Sequence, residues 1–288
     1  MEKILVPTDF SPTAGAALRY AYFLAEATGL GVEVLHVHDG YGYSAFRRAK
    51  KGGLEARVNA QRKLDRFIRF NLKIVPAVAT GGFTEPEVNV SSRGIIGSPT
   101  KALLIASRRA DTCMIVMGGV GSGVADAATP LFGSITRRIA ERAACPVLLV
   151  PEGYGTPVMK RAAIAFNWIG ALRETSIGFD FLRVALGPAM HLVHVRDFMH
   201  VTKIREETAL LEKILNTEFP GYPVQLDLPE PGVTAPRLLA YAHDKKIDLL
   251  VMGRRNRSLF ERLFLRSEIG TVLKNGGTPM LVIPISHA

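Results

Sequence analysis

Cysteine, tryptophan and long apolar runs are all scarce in this sequence. Two cysteines, Cys113 and Cys145, and a single tryptophan stand in 288 residues. Two thiols exclude a disulfide-framed scaffold. Each lies in or beside a short apolar run, so both read as small buried side chains, with a redox pair the lesser alternative. No segment has the roughly 20 consecutive apolar residues of a membrane-spanning helix, which argues against a membrane partner. Met1 to Val6 enters an apolar run directly, without the basic region, hydrophobic stretch and small-residue site of a secretion signal. A cytoplasmic location is the expectation. Aromatic residues make up 8% and are not interleaved with basic ones in a stripe, so the net charge of +10 does not read as nucleic-acid binding. Residues 1–150 hold 19 Lys and Arg against 12 Asp and Glu, and residues 151–288 hold 17 against 14. That surplus favours anionic partners without choosing one.

What is present is a repeat. Leu35-His36-Val37-His38-Asp39 and Val193-His194-Val195-Arg196-Asp197 lie 158 positions apart, as do Lys3 to Asp9 and Arg161 to Asn167. Ile115-Val116-Met117-Gly118 returns as Leu250-Val251-Met252-Gly253 after 135, and Cys145 to Pro151 as Thr278 to Pro284 after 133. The offset is constant at 158 over the first landmarks and drops to 135 and then 133, because the first copy carries 23 and then two extra residues. It divides the chain into a first domain over 1–151, a linker over 152–160 and a second domain over 161–288. Each copy alternates short Val, Ile and Leu runs with longer segments of helical period, the pattern of βαβ units and a parallel sheet buried on both faces. The fold class is therefore α/β, two repeated Rossmann-like domains, each a five-stranded open parallel sheet flanked by helices. In the first copy the pattern predicts strands near 3–8, 32–38, 87–92, 113–117 and 146–150, with helices near 12–29, 54–71, 98–110 and 133–143. In the second it predicts strands near 161–166, 189–195, 223–228, 248–252 and 279–283, with helices near 171–186, 202–217, 233–245 and 267–275. Ser11-Pro12 and Ser98-Pro99 both read as a helix cap followed by proline in the first turn.

Ligands of an open parallel sheet bind at the carboxyl ends of strands whose connections diverge. Two loops meet there in the first copy: Pro7-Thr8-Asp9, and the glycine-rich run from Met117 to Gly123 that leads to Gly133-Ser134-Ile135-Thr136 at a helix start. Glycines let backbone amides approach phosphate oxygens, and a helix amino end adds unpaired N–H groups and a favourable dipole. Asp9 either accepts hydrogen bonds from a ribose or an exocyclic amine, or only satisfies local amides. The loop is not a P-loop, because Val124-Ala125 stands where Lys-Ser/Thr is needed, and it is not a dinucleotide fingerprint, because it follows a late strand.

These residues resemble the universal stress protein family, whose domains open with an apolar strand, Pro, a variable residue and Asp. They end in G-x2-G-x9-G-S/T before the last helix. The resemblance covers nearly the whole chain twice, and it implies pairing through the last strand and ATP, or another adenine nucleotide, with or without Mg, as cofactor. By it, Pro7, Thr8 and Asp9 face the nucleoside, Val37 offers backbone to adenine, and Gly118, Gly121, Gly133, Ser134 and Thr136 hold phosphates. Met117, Gly123 and Ile135 complete the candidate set. Eleven residues, not nine, separate Gly121 from Gly133.

In the second copy the motif reads Gly253-x2-Asn256-x9-Arg266-Ser267, with Asn167 in place of the aspartate, so loss of ATP binding is expected there. Arg254, Arg255, Arg257, Arg262 and Arg266 crowd the region, either as an anion or partner site or as a solvated basic loop. His36 and His38 share a strand face but lack the further ligands of a metal site. No base and orienter accompany Ser11 or Ser134, so slow ATP hydrolysis is the most that enzyme chemistry would amount to. The function expected is a nucleotide-binding stress-response regulator with an unidentified protein partner, the alternative being a non-nucleotide interaction protein of the same fold. Val147–Val150 and Met280–Ile283 are expected to pair the two domains within the chain, with a homodimer of whole chains left open.

Overall fold

A computed structural model of the chain describes residues 1–38, 52–72, 88–119, 133–151, 154–166, 169–195, 209, 212, 221–254 and 277–285. The first repeat comprises β1 (Lys3–Pro7), α1 (Pro12–Thr28), β2 (Gly31–His38), α2 (Gly52–Leu72), β3 (Val90–Ile96), α3 (Pro99–Ala106), β4 (Thr112–Gly118), α4 (Ser134–Arg142) and β5 (Val147–Val150). The second comprises β6 (Arg161–Ala165), α5 (Ile169–Leu186), β7 (Ala189–Val193), β8 (Val224–Asp227), α6 (Thr234–Asp244), β9 (Leu249–Arg254) and β10 (Met280–Pro284). The helices expected over 202–217 and 267–275 lie outside the described residues, apart from Ala209 and Glu212.

All ten strands form one sheet in the order β3-β2-β1-β4-β5-β10-β9-β6-β7-β8. Every pairing within a repeat is parallel, while β5 and β10 join antiparallel through Leu149↔Met280, Leu148↔Leu281 and Val147↔Val282. The last strands thus pair the two repeats. β3 begins and ends later than its sequence pattern predicts. Its register with β2 runs from Val32↔Val90 to His38↔Ile96, and the polar stretch Ser91-Ser92-Arg93 hides an edge strand with one face in water. α3 stops at Ala106, with Ser107 as its cap, earlier than predicted.

Strand parity sends Ile4, Val6, Val34 and Val116 to one face, where α1, α2 and α5 pack, and Leu5, Leu35, Ile115 and Met117 to the other, against α3, α4 and α6. Both cores run across the seam into the second repeat. α1 is capped by Ser11, whose Oγ accepts from Ala14 N at 3.2 Å, and it ends at Gly29 with φ 71°. Only a residue without a Cβ takes that left-handed turn at no cost. Of the two thiols Cys145 is buried, whereas Cys113 is half-buried and 3.2 Å from Glu2 Oε2.

Candidate functional site

The strand order reverses between β1 and β4, which are adjacent and parallel, so the residues that follow them stand at the same edge of the sheet. After β1 the chain is fixed by short polar contacts. Thr8 N donates to Leu35 O at 2.9 Å, Phe10 N to Thr8 Oγ1 at 2.9 Å and Ser11 N to Asp9 Oδ1 at 3.0 Å. Phe10 has φ 68°, a costly conformation for a bulky residue. Its ring is held 4.4 Å from that of His36 and 5.6 Å from that of Phe67, with Lys63 Nζ 4.2 Å above it. His36 Nδ1 lies 2.7 Å from Thr8 O, and since a carbonyl only accepts, that nitrogen carries the proton. Asp9 therefore does serve a local amide through Oδ1.

The second wall is the amino end of α4. Gly133 is its N-cap and offers no side chain to the first turn, so the amides there have no intrahelical partner. Thr136 Oγ1 ties this turn to β4 by donating to Gly118 O at 3.3 Å. Between the walls lies a cleft of about 280 Å3, close to the lower end of ordinary ligand pockets. Pro7, Thr8, Asp9, Val37, Met117, Gly118, Gly133, Ser134, Ile135 and Thr136 all line it. Gly121 and Gly123 lie outside the described residues.

The cleft also has an apolar side that sequence reading did not assign, made by Leu35, Leu103 and Pro99, and His36 and Gly119 line it as well. Pro99 was detectable as the start of a helix, but its place depends on β3 lying beside β2. No such signal marked Leu103, which looks like any core leucine.

Gly118 and Gly133 differ in what requires them. A Cβ on Gly118 would lie 2.6 Å from the backbone of Thr13, so β4 can pass α1 only if this residue is glycine. A Cβ on Gly133 would meet nothing within 4 Å among the described residues, and its φ of −65° suits any residue.

At the corresponding place in the second repeat the frame recurs with other side chains. Phe166 N donates to Val193 O at 3.1 Å and His194 Nδ1 lies 2.9 Å from Phe166 O, each contact 158 positions on from its counterpart. Phe166 takes the place of Thr8, is buried, and stacks on His194 with centroids 5.2 Å apart. Asn167, Asn256 and Arg266 lie outside the described residues. The basic cluster needs a correction at Arg254. Its guanidinium is half-buried and donates to Ala140 O at 3.0 Å and Ala143 O at 2.8 Å, across the seam, so it belongs neither to a solvated loop nor to an open anion site. Arg255, Arg257, Arg262 and Arg266 lie outside the described residues.

Burial pushes the Cys113 thiol up to about 11 and the Cys145 thiol up to about 12, so neither is a thiolate nucleophile at neutral pH. The His36 and His38 rings meet edge to face at 4.3 Å. Burial, then the charges of His36 and Lys63, lowers the His38 pKa. Among the described residues no three His, Cys, Asp or Glu side chains are grouped to hold a metal, and no helix is long and apolar enough to cross a membrane.

This topology defines a tandem doubly wound α/β protein with a cleft at the switch point of its first repeat. The chain belongs to the universal stress protein family, whose sequence model matches residues 1–151 and 162–284. The universal stress protein Slr1230 of Synechocystis is 23% identical over 293 residues, spanning 98% of this chain and 99% of its own length. A universal stress protein from Archaeoglobus fulgidus has the same fold, with TM-score 0.69, 16% identity and 98% of each chain covered. A protein of unknown function from Pseudomonas aeruginosa superposes with TM-score 0.59 at 12% identity, covering 99% of this chain and 92% of its own.

Proposed function

We propose that the first repeat binds an adenine nucleotide, ATP in the first instance, and that the protein is a cytoplasmic stress-response regulator whose nucleotide occupancy alters a surface read by a protein partner. The observation that carries this reading is Gly133. Among the described residues neither packing nor backbone conformation requires glycine at this N-cap, where serine, aspartate or asparagine would cap as well or better. A glycine here opens the amides of Ser134, Ile135 and Thr136 to an anion.

In this reading phosphates lie against those amides and Gly118, with Gly121 and Gly123 on the connecting loop. The nucleoside lies toward Pro7, Thr8 and Asp9, and the base against Val37 and Met117. Mg2+ arriving with ATP would neutralise part of the phosphate charge. Phe166 in place of Thr8 supports confining the nucleotide to the first repeat. The test is acid extraction of the purified protein for carried nucleotide, followed by calorimetry with ATP. Saturable heat is expected, and Gly133→Arg abolishes it while Arg266→Gly leaves it unchanged. No binding at millimolar ATP would overturn the proposal in favour of an interaction protein of the same fold.

A further inference from the structure

We propose that Arg254, contributed by the second repeat, is a positioning residue for the site of the first, gripping the carboxyl end of α4 so that its amino end stays aimed into the cleft. This rests on the nucleotide reading above. α4 has nine residues, a span of roughly 14 Å that a rigid helix transmits from end to end. Its cleft end is weakly held, since Gly133 caps without a side chain and Thr136 Oγ1 ties the first turn to Gly118 O at a long 3.3 Å.

The far end is held firmly. Ala143 N closes on Ile139 O at 2.8 Å, and two N–H groups of Arg254 take the carbonyls of Ala140 and Ala143 at 3.0 and 2.8 Å. Carbonyls at a helix end have no intrahelical donors, and a guanidinium there both satisfies them and complements the helix dipole. The forked donor spans two carbonyls at once, which fixes direction as well as distance. Arg254 ends β9, which pairs with β10, which pairs with β5, so the grip is anchored through the seam itself. In the first repeat the residue after the aligned glycine is Gly119, which has no side chain to reach back. The Arg254 grip, from the repeat with the altered motif to the repeat with the cleft, therefore has no counterpart at the aligned position of the first repeat.

The experiment compares the full chain with Arg254→Met and Arg254→Lys by amide hydrogen exchange without ligand, and by calorimetry with ATP and with adenosine. In Arg254→Met, exchange at residues 137–143 rises about tenfold while β1 and β4 keep their rates, and ATP binds about tenfold more weakly. Adenosine, lacking the phosphates that face α4, binds as before. Arg254→Lys keeps the charge and a donor but not the fork, and recovers only part of both losses. Unchanged exchange in α4, loosened exchange with ATP affinity intact, or equal losses for ATP and adenosine would each overturn the proposal. If the unaltered protein binds no ATP, the nucleotide reading fails separately, and the grip on α4 is judged by exchange alone. If Arg254→Met does not fold, Arg254→Lys decides by the same measurements, with a partial loosening of α4 and a partial, phosphate-dependent loss of affinity expected.

Discussion

A methyl group on Gly118 would lie 2.6 Å from the carbonyl carbon and oxygen of Thr13 and 2.9 Å from the amide nitrogen of Ala14. Backbone atoms do not yield as a side-chain tip does, so Gly118→Ala is expected to cost about 1–3 kcal/mol in urea unfolding, whatever ligand is present. Gly133→Ser should behave oppositely. Its backbone and its surroundings among the described residues accept a side chain, and serine caps helices well, so stability should stay within about 0.5 kcal/mol of the unaltered protein. ATP affinity should nonetheless fall, as the new side chain enters the space proposed for phosphate. A stable Gly118→Ala, or a Gly133→Ser that binds ATP normally, would reverse these assignments. Both glycines were legible in the sequence as members of one motif. Their different roles were not, because one is set by a helix more than 100 positions away and the other by the lack of any close neighbour among the described residues.

At the level of elements, Glu33 on β2 gathers charges from its neighbours. Arg109 grips it at 3.2 and 3.1 Å, Arg93 of β3 approaches to 2.8 Å and Lys3 of β1 to 3.4 Å. Arg109 also bonds Asp111 at 2.9 and 2.7 Å. Burial pushes the Glu33 carboxyl up, but the Arg109 hydrogen bonds and the Arg93 and Lys3 charges outweigh it and leave the pKa lowered. The Arg109 hydrogen bonds hold Asp111 down to about 2. The second repeat has a different set at the matching register positions. His191 of β7 lies 2.8 Å from Asp227 of β8, which also accepts from Tyr241 at 2.8 Å. Burial would raise Asp227, but the His191 and Tyr241 hydrogen bonds lower it.

Carboxylates held below their unfolded values, roughly 4, bind fewer protons folded than unfolded in acid. Their stabilisation is therefore present above that unfolded value and is lost as pH falls through it toward the folded one, about 2 for Asp111. Urea midpoints should decline between about pH 5 and pH 2. Arg109→Met, by leaving Glu33 without its forked partner, should cost about 1–2 kcal/mol at pH 7 and much less at pH 2. Parallel pH curves for the two proteins would refute this. His38 acts in the same direction at higher pH. Its lowered pKa means the unfolded chain binds the extra proton first as pH drops below about 6.5. Apart from the local Arg109–Asp111 pair, these pairings were not visible in the chain, since Glu33 and Arg109 meet only because β1 brings β2 and β4 to either side of it.

Over the whole molecule the seam makes one sheet of two repeats. Leu148 of β5 faces Leu281 of β10 in register, and both are fully buried. Leu148→Ala removes three heavy atoms from a core that runs across both repeats, at a cost of about 2–5 kcal/mol. Because the seam is shared, hydrogen exchange in β9 and β10 should quicken along with that in β4 and β5. Loss confined to the first repeat would mean that the halves unfold independently. α1 and α5 add to this coupling by packing into one core on the same face, and Tyr154, between the repeats, lies 5.5 Å from Tyr20 of α1.

The sequence by itself determined the repeat, the α/β alternation and which loops stand at the strand ends, because these follow from apolar period and from offsets that a reader can count. It also marked two apolar edge strands, which the family resemblance implied would meet at the seam. Tertiary structure alone decided their antiparallel register, the apolar side of the cleft at Leu35, Leu103 and Pro99, and the reach of Arg254 to α4. Each of these depends on residues far apart in the chain arriving at one point, and side-chain contacts of that kind leave no periodic trace in the sequence.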